Sequence, residues 1–282
     1  MKQFLLKEKP DKEGLIRLRN EDYHYLVHVR RLKPGSVFTA LLPADPKDKM
    51  SNPQRAAITV QRIDKRTLTG SAASIQRMPL QNEKKIFGKS PELLPLPEFI
   101  LFQALPKGTK MDLIVRQAAE LGIGEVVPFV SEHSVPKKSS GGGRLERWRR
   151  IVKEACQQSG SAVLTRIHAV LDAGELFTYW EKLQAAKPAE TLSLIFSPPI
   201  LNSPLEQGGF HRYLYKKPHL LVLTVGPEGG FSAAELGRFA ESGFKTISLG
   251  GTVLRAETAA LYGAAAAKII LMEGECWTLK LQ

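Results

Sequence analysis

Alternating apolar and polar residues dominate the first 75 residues of the chain. A period of two predicts β-strands, because successive side chains of a strand point to opposite faces of a sheet. Between the first two predicted strands, apolar residues from Tyr23 to Val27 repeat at helical spacing instead, and Asn20 precedes them as a natural N-cap. The pattern predicts a small β-barrel with one short helix. Its predicted strands are 15–18, 36–42, 56–63 and 68–75.

Beyond residue 97 the chain changes to strands that alternate with helices. Gly122 is placed to end one of these helices, because glycine tolerates the left-handed conformation of a helix C-terminus. Such alternation predicts an α/β fold, with a mostly parallel sheet covered by helices on both faces. The predicted strands are 98–104, 125–130, 192–196, 220–225 and 246–249, and the predicted helices are 109–121, 144–159, 173–185, 232–242 and 256–272.

Residues 76–97 contain four prolines and no clear period, which is typical of a linker. A chain of 282 residues is long enough for two domains that each bury a core. We therefore predict a barrel domain over 1–76, a linker over 77–97 and an α/β domain over 98–282.

The net charge of +12 is concentrated in two blocks. Residues 1–75 contain 15 Lys and Arg against 8 Asp and Glu, and residues 133–168 contain 8 against 2. Concentrated positive charge favours a polyanionic partner such as a nucleic acid, although a charged run is often only a solvated face. The candidate phosphate-binding residues are Arg17, Arg19, His24, Arg30 and Arg31 in the first block and Lys137, Lys138 and Arg144 in the second.

Neither a metal site nor a membrane segment is predicted. Cys156 and Cys276 are too few and too distant to indicate a disulfide framework, and no His/Cys cluster lies near them. No apolar stretch has the length that a bilayer requires, and the first ten residues contain only three consecutive apolar ones, too few for a signal peptide. We therefore expect the protein in the cytoplasm.

Residues 223–236, LTVGPEGGFSAAEL, place three glycines and a proline between an apolar strand and a helix. Ser232 and Glu235 have the spacing of a capping box, so the helix should begin at a defined residue. Glycines leave the backbone open, and a ligand could lie directly on the peptide groups, although a tight turn without a ligand fits the isolated motif equally well. Neither the G-x-G-x-x-G spacing of a dinucleotide fold nor a phosphate loop is present.

A second pair of glycines, Gly250 and Gly251, ends the last predicted strand within TISLGGTVLRAETAALYGAAAAK. The helix that follows is rich in small residues, which allow close packing. Arg255, Glu257 and Thr258 lie together at its start, where free backbone N–H groups attract acceptors. Polar residues at this place favour a role beyond packing.

These two segments resemble the signature of a known family. GPEGGFS at 226–232 and LGGTVLRAETA at 249–259 are similar to the paired motifs of the bacterial ribosomal RNA small subunit methyltransferase E family, which methylates N3 of a uridine in the 16S ribosomal RNA of the small subunit with S-adenosylmethionine. ALPKGTKMDLIVRQAAELGIGEVVPF at 104–129, RWRRIVKEACQQS at 147–159 and HYLVHVRRLKPG at 24–35 resemble further family segments in the family's order.

The resemblance implies an enzyme with a particular architecture. It implies an N-terminal PUA-like RNA-binding β-barrel, a C-terminal SPOUT domain with a deep trefoil knot, and a homodimer that shares the active site at its interface. The knotted loops of such a domain bind S-adenosylmethionine. The implied contact residues are Leu105, Pro106, Gly226, Pro227, Glu228, Gly229, Gly230, Leu249, Gly250, Leu254, Glu257 and Thr258.

Methylation at N3 requires loss of the N3 proton, and negative charge then spreads over the uracil oxygens. A cation aimed at those oxygens lowers the barrier. Arg255 is the candidate for this cation, and pairing with Glu257, Glu228 or a partner subunit is an equally open role for it. No histidine is singled out as the general base, because the six are scattered. They are His24, His28, His133, His168, His211 and His219.

Two positions depart from the family pattern. Ser161 stands where the family usually has Arg, and Gln117 where Lys is common. A lost Arg is a lost bidentate partner for phosphate or for a base. Two alternatives therefore stay open: a noncatalytic RNA-binding or ribosome-assembly protein of the same fold, and a SPOUT methyltransferase with another RNA target.

Overall fold

The computed structural model describes residues 3–43, 54–77, 96–136, 138, 143–186, 191–197, 207–214 and 218–273. The chain forms two compact units. One comprises Met1–Pro91 with Cys156–Ala162, and the other comprises Glu92–Ala155 with Val163–Gln282. Most of the predicted linker lies outside the described residues, and the domain bounds given above stay a prediction.

The first unit contains a five-stranded sheet. Its elements are β1 (Phe4–Leu5), β2 (Leu15–Arg19), α1 (Asn20–His24), a π-helical turn (Tyr25–Val29), β3 (Val37–Leu41), β4 (Gln54–Ile63) and β5 (Thr67–Arg77). The strand order is β1-β3-β4-β5-β2, and all neighbours are antiparallel except β1 and β3. This mainly antiparallel sheet fits the predicted barrel. The strand β1 was not predicted, because two residues show no period.

One face of this sheet forms the core of the unit. Ile16 and Leu18 of β2 are buried, as are Ile58 and Val60 of β4. Arg17 and Arg19 alternate with them along β2, and both are exposed. The alternation predicted for β2 is therefore confirmed, and it turns two cations to the outer face.

The short helix begins differently from the prediction. Arg19 is the N-cap, α1 begins at Asn20, and no side chain caps the helix. Asn20 has φ 54°, a left-handed conformation that asparagine tolerates better than most residues. The prediction of Asn20 as the N-cap is wrong, because this residue serves the tight entry from β2 into α1 instead.

The second unit alternates strands and helices. Its elements are β6 (Glu98–Ala104), α2 (Lys110–Leu121), β7 (Glu125–Phe129), α3 (Gly143–Ser159), β8 (Arg166–Ile167), α4 (Ala173–Ala186), β9 (Thr191–Phe196), β10 (Gln207–Gly208), α5 (Phe210–Leu214), β11 (Leu220–Val225), α6 (Ala233–Glu241), β12 (Lys245–Ile247) and α7 (Ala256–Glu273). Gly122 ends α2 with φ 72°, as predicted. The short elements β8, β10 and α5 were not predicted.

The seven strands form a parallel sheet in the order β10-β12-β9-β11-β6-β7-β8. On one face, Trp180 of α4 and Phe239 of α6 pack in a cluster with Phe102 of β6. On the other face, Ile114 of α2 lines a small cavity together with residues of β6 and α7. The predicted α/β fold, with helices on both faces of a parallel sheet, is confirmed.

Close packing explains one of the small residues of α7. A Cβ placed on Gly263 would lie 2.3 Å from two atoms of the Phe196 ring, at the end of β9. Phe196 is only 7% exposed, so its ring has little room to move. We expect Gly263→Ala to lower the free energy of unfolding by about 1–3 kcal/mol through overpacking.

Chemical denaturation measures this effect, and Gly237→Ala in α6 is the matched control. A Cβ on Gly237 would meet no atom within 4 Å. The control should therefore raise the free energy of unfolding by about 0.5–1 kcal/mol, since alanine favours helices. Equal effects of both substitutions would contradict the packing argument.

Candidate active site

The predicted donor-binding residues lie in three turns at one edge of the parallel sheet and, for Glu257 and Thr258, at the start of α7. Strands β6, β11 and β12 run in the same direction, so the turns that follow them leave the same edge. Leu105 and Pro106 follow β6 and are buried. Gly226 to Gly230 follow β11, the direct neighbour of β6, and Leu249 to Leu254 follow β12. The structure thus brings segments from distant parts of the sequence to one place.

The glycine turn, residues 226–232, has a defined conformation. The backbone N–H of Gly230 donates to the carbonyl of Pro227 at 2.9 Å, and Gly230 has φ 69°. The Ser232 side chain accepts from the Glu235 N–H at 3.2 Å, and Glu235 accepts from the Ser232 N–H at 2.9 Å. The predicted capping box is therefore confirmed, and it fixes the point at which α6 begins.

The turn after β7 holds the glycine turn from one side. Glu235 also accepts from the Ser131 hydroxyl at 3.1 Å and from the Glu132 N–H at 2.9 Å. The His133 Nδ1 lies 3.1 Å from the Gly229 carbonyl and 3.3 Å from that of Gly230. Because a carbonyl only accepts, Nδ1 carries the proton in this arrangement. Sequence reasoning missed these contacts, since about a hundred residues separate the partners.

The glycines of the site differ in the space around them. A Cβ on Gly229 would lie 3.0 Å from the Cβ of His133, and one on Gly226 would lie 3.1 Å from the Phe231 ring. An alanine at either position would therefore require its neighbour to shift by a few tenths of an ångström. Gly230 and Gly250 have φ of 69° and 127°, and a Cβ on either would meet no atom within 4 Å. Open space lies beside the backbone at both of these positions.

Lys110 joins the glycine turn to the turn after β6 and to the start of α7. Its ammonium lies 2.5 Å from Oε1 of Glu228 and 3.8 Å from Oε2 of Glu257. The Lys107 backbone N–H donates to both oxygens of Glu228, at 3.2 and 3.3 Å. The hydrogen bond to Glu228 and the charges of both carboxylates raise the pKa of Lys110. For Glu228, partial burial acts to raise the pKa, but the bonds from Lys110 and Lys107 lower it overall.

Arg255 is exposed at the residue before α7. Its carbonyl accepts the Ala259 N–H at 2.8 Å, but its guanidinium has no hydrogen bond or ion pair within the described part of the chain. Pairing with Glu228 or Glu257 was an open role for Arg255, and Lys110 takes both of these carboxylates instead. Leu249, Leu254 and Glu257 are half-buried, whereas Thr258 is exposed.

The other histidines belong to other segments of the chain. His168 binds Glu125, at the amino end of β7, through Nε2 at 2.7 Å. Burial, and then the charge of Arg166, lower the pKa of His168 to about 4. The His24 and His28 rings contact each other in the first unit. His211 belongs to α5, and the His219 carbonyl accepts from the Glu98 N–H at 2.8 Å.

The first unit presents a basic groove, the hairpin groove, on the outer face of its sheet. The groove has a volume of about 430 Å³ and is lined by Arg17, Arg19, Gln61, Arg62, Asp64, Thr67 and Thr69. Arg62 bonds to Asp64 at 2.8 Å, yet its side chain is 75% exposed. Sequence reasoning found Arg17 and Arg19 but missed Arg62. Among the other predicted RNA-binding residues of this unit, His24 and Arg31 are exposed and Arg30 is half-buried, and none of them lines the groove.

The predicted RNA-binding residues of the second unit differ in their ion pairs and in their exposure. Lys137 lies outside the described residues. The Lys138 ammonium lies 2.5 Å from Glu175 and 3.3 Å from Asp172, so a phosphate would compete with two carboxylates for it. Arg144 is half-buried near the start of α3.

The two positions that depart from the family pattern also have defined surroundings. Gln117 lines the cavity beneath α2, and its Oε1 is buried without a hydrogen bond among the described residues. Ser161 belongs to the segment that groups with the first unit, and its carbonyl accepts from Gln3 at 2.6 Å.

No group of three or more His, Cys, Asp or Glu residues in the described ranges could hold a metal ion. The described helices include none that is long and apolar enough to cross a bilayer.

Comparisons with known proteins identify relatives of the chain. Residues 92–268 match the model of a family described as RNA methyltransferase domain. The chain is 33% identical over 251 residues to a ribosomal RNA small subunit methyltransferase E of Synechocystis sp., covering 88% of this chain and 70% of that protein. It is 28% identical over 276 residues to ribosomal RNA small subunit methyltransferase E 2 of Borreliella burgdorferi, and this match covers 96% of this chain and 98% of that protein.

The fold is similar to a crystal structure of a ribosomal RNA small subunit methyltransferase E from Neisseria gonorrhoeae bound to S-adenosyl methionine. The TM-score is 0.72 at 24% identity, and the match covers 96% of this chain and 98% of that one.

The contacts of Glu235 make a testable prediction about the glycine turn. Glu235→Ala removes the acceptor for Ser131, Glu132 and Ser232, so we expect the free energy of unfolding to fall by about 1–3 kcal/mol. Hydrogen exchange should accelerate at the Glu132 and Ser232 amides before it changes elsewhere in the sheet. Glu120→Ala is the control, since Glu120 is exposed and its side chain makes no hydrogen bond or ion pair within the described ranges. Unchanged exchange at both amides would show that Glu235 does not hold the turns together.

Proposed function

Because the chain belongs to the ribosomal RNA small subunit methyltransferase E family, we propose that it transfers a methyl group from S-adenosylmethionine to small-subunit ribosomal RNA. We further propose that the acceptor is N3 of a uridine in 16S ribosomal RNA. One observation carries the proposal: the residues that match the family's paired motifs meet at a single edge of the sheet, beside open glycine backbone.

The three turns fit a methyl donor of this kind. Open space beside Gly230 and Gly250 leaves room for a ligand that lies against main chain. The residues proposed to hold the donor are Leu105, Pro106, the turn Gly226 to Gly230, Leu249, Gly250, Leu254, Glu257 and Thr258. Bound there, S-adenosylmethionine would supply a methyl group on a sulfonium. The chain would contribute mainly position, because the transfer needs an aligned nucleophile.

Arg255 is proposed to stabilise the uracil anion. Its guanidinium is exposed beside the proposed donor turns and has no acidic partner among the described residues. It can therefore meet the oxygens on which charge develops when the N3 proton leaves. Five fixed N–H donors suit this task better than a compact ammonium does.

The hairpin groove is proposed to bind the RNA backbone. Three arginines surround it, and the half-buried Thr67 and Thr69 add hydroxyl donors on its floor. Phosphate contacts of this kind position RNA without reading its sequence.

We also propose that the enzyme is a homodimer. Val253, Tyr262 and Ile269 are exposed apolar residues before and along α7, and Tyr262 and Ile269 are seven residues apart on one helix face. Sedimentation of the purified protein as a monomer at micromolar concentration would contradict the dimer. The trefoil knot stays a prediction, with which the insertion of β11 between β6 and β9 is compatible.

A transfer assay tests the proposed function. Purified protein should move labelled methyl from S-adenosylmethionine to small-subunit ribosomal RNA that lacks the modification, and mass spectrometry should locate N3-methyluridine in the product. Absence of both donor binding and transfer would overturn the proposal. RNA binding without transfer would favour the noncatalytic alternative, and transfer to another RNA would favour the second alternative.

The same assay tests the role of Arg255. Arg255→Ala should lower kcat by about 100-fold, because it removes a donor to the developing anion. The kcat of Arg255→Lys should lie between those of Arg255→Ala and the wild type, since lysine keeps the charge but lacks the planar guanidinium with its paired N–H donors. Lys182→Ala, an exposed change on α4, should leave kcat unchanged. A wild-type kcat in Arg255→Ala would exclude the proposed role.

Salt dependence tests the hairpin groove. Replacing Arg17, Arg19 and Arg62 together by Ala should weaken RNA binding and reduce the slope of log K against log salt concentration by about 1 for each phosphate that the variant no longer binds. Lys182→Ala again serves as the control, because it removes one charge outside both basic blocks. An unchanged slope in the triple variant would place RNA binding elsewhere on the protein.

A further inference from the structure

Lys110 occupies an unusual place for a cation. It is the first residue of α2, where the helix dipole favours negative side chains and disfavours positive ones. Thr109 precedes it as the N-cap but makes no side-chain capping bond. The charge of Lys110 therefore does not stabilise the start of this helix, and the contacts of its ammonium lie with other segments.

That interaction is the bridge to two carboxylates from distant segments. Glu228 is 118 residues away along the chain, and Glu257 belongs to the first turn of α7. The side chain of Glu257 is only 16% exposed, and its Oε2 has no hydrogen bond among the described residues. Lys110 is thus the counter-charge of a nearly buried carboxylate.

Arg255 is the other cation of this neighbourhood. It lies two residues before Glu257 and close enough to lower the pKa of Lys110 by charge repulsion. One ammonium and two carboxylates leave the bridge of Lys110, Glu228 and Glu257 with a net charge of −1, and Arg255 balances this charge without joining the bridge. Without Lys110, the two carboxylates would keep their full negative charge and attract Arg255, which lies two residues before Glu257 in the sequence.

We propose that Lys110 is a positioning residue of the methyl-transfer site, which fixes the glycine turn against α7 and keeps Glu257 from capturing Arg255. The inference rests on the proposed function only for its effect on catalysis. The release of Arg255 is a property of the free protein and can be measured without donor or RNA.

Chemical modification of Arg255 tests the release directly. Phenylglyoxal reacts with accessible guanidinium groups, and mass spectrometry of the peptide that contains Arg255 gives the rate at this residue. In Lys110→Met the rate should fall about twofold to fivefold, as expected for a new and partly exposed ion pair with Glu257. Lys107→Met is the matched control: it removes the same charge from the same turn but keeps the backbone N–H that binds Glu228. It should leave the rate unchanged.

Two further variants separate this role from general loss of structure. Lys110→Arg keeps a cation at this position and should restore the modification rate. The double variant Lys110→Met with Glu257→Gln removes the capturing carboxylate, so Arg255 should again react at the wild-type rate. Lys110→Gln serves if Lys110→Met does not fold. An unchanged rate in Lys110→Met or Lys110→Gln, or no recovery in the double variant, would overturn the inference.

Kinetics then connect the release to catalysis. At saturating donor and RNA, kcat of Lys110→Met should fall by at least the factor seen in the modification rate, and kcat of Lys110→Arg should stay near the wild-type value. If the wild type transfers no methyl group, the proposed function fails while the modification rates still decide the inference. If the wild type is active and Lys110→Met retains full kcat although Arg255 is protected, Lys110 has no positioning role in catalysis.

Discussion

The parallel register of β6, β9, β11 and β12 is the constraint on which the site depends. The connections that follow parallel strands leave the sheet at the same edge, so segments between residue 105 and residue 255 converge there. Beyond the ends of the strands, backbone N–H and C=O groups no longer form hydrogen bonds with a neighbouring strand. Glu228 and Glu235 satisfy some of these N–H groups with carboxylates. The backbone beside Gly230 and Gly250 stays uncovered.

Two carboxylates therefore connect the glycine turn and the start of α6 to neighbouring turns. Glu235 of α6 binds the turn after β7, and Glu228 of the glycine turn binds the turn after β6. A turn held by two such contacts needs less reorganisation when a ligand arrives, which lowers the cost of ordering it on binding. Acidic residues that could have been interpreted as ligand contacts thus also act as connectors between neighbouring turns.

Contacts between residues close in sequence could be predicted, whereas contacts between residues distant in sequence could not. Gly122 and the Ser232–Glu235 box depend on residues within one helical turn, and both were predicted correctly. The bridge from Lys110 to Glu228 joins residues 118 apart, and only the order of the strands brings them together. Asn20 shows the limit at short range, since a residue suited to a cap also tolerates the left-handed entry that the chain uses here. The donor turns could be located from their resemblance to a family, but their partners could not.

Arg62 shows how a single backbone irregularity changes a surface. Strict alternation after the buried Ile58 and Val60 would direct residue 62 into the core as well. The register shift between Val60 and Arg62 leaves Gln61 without a partner on β5 and pairs Arg62 with Thr69. Arg62 consequently emerges on the outer face, where Thr69 also pairs with Arg17 across β2. The extra residue in β4 thus places Arg62 and Arg17 on either side of Thr69. The basic surface therefore extends over three strands, β2, β5 and β4, instead of β2 alone.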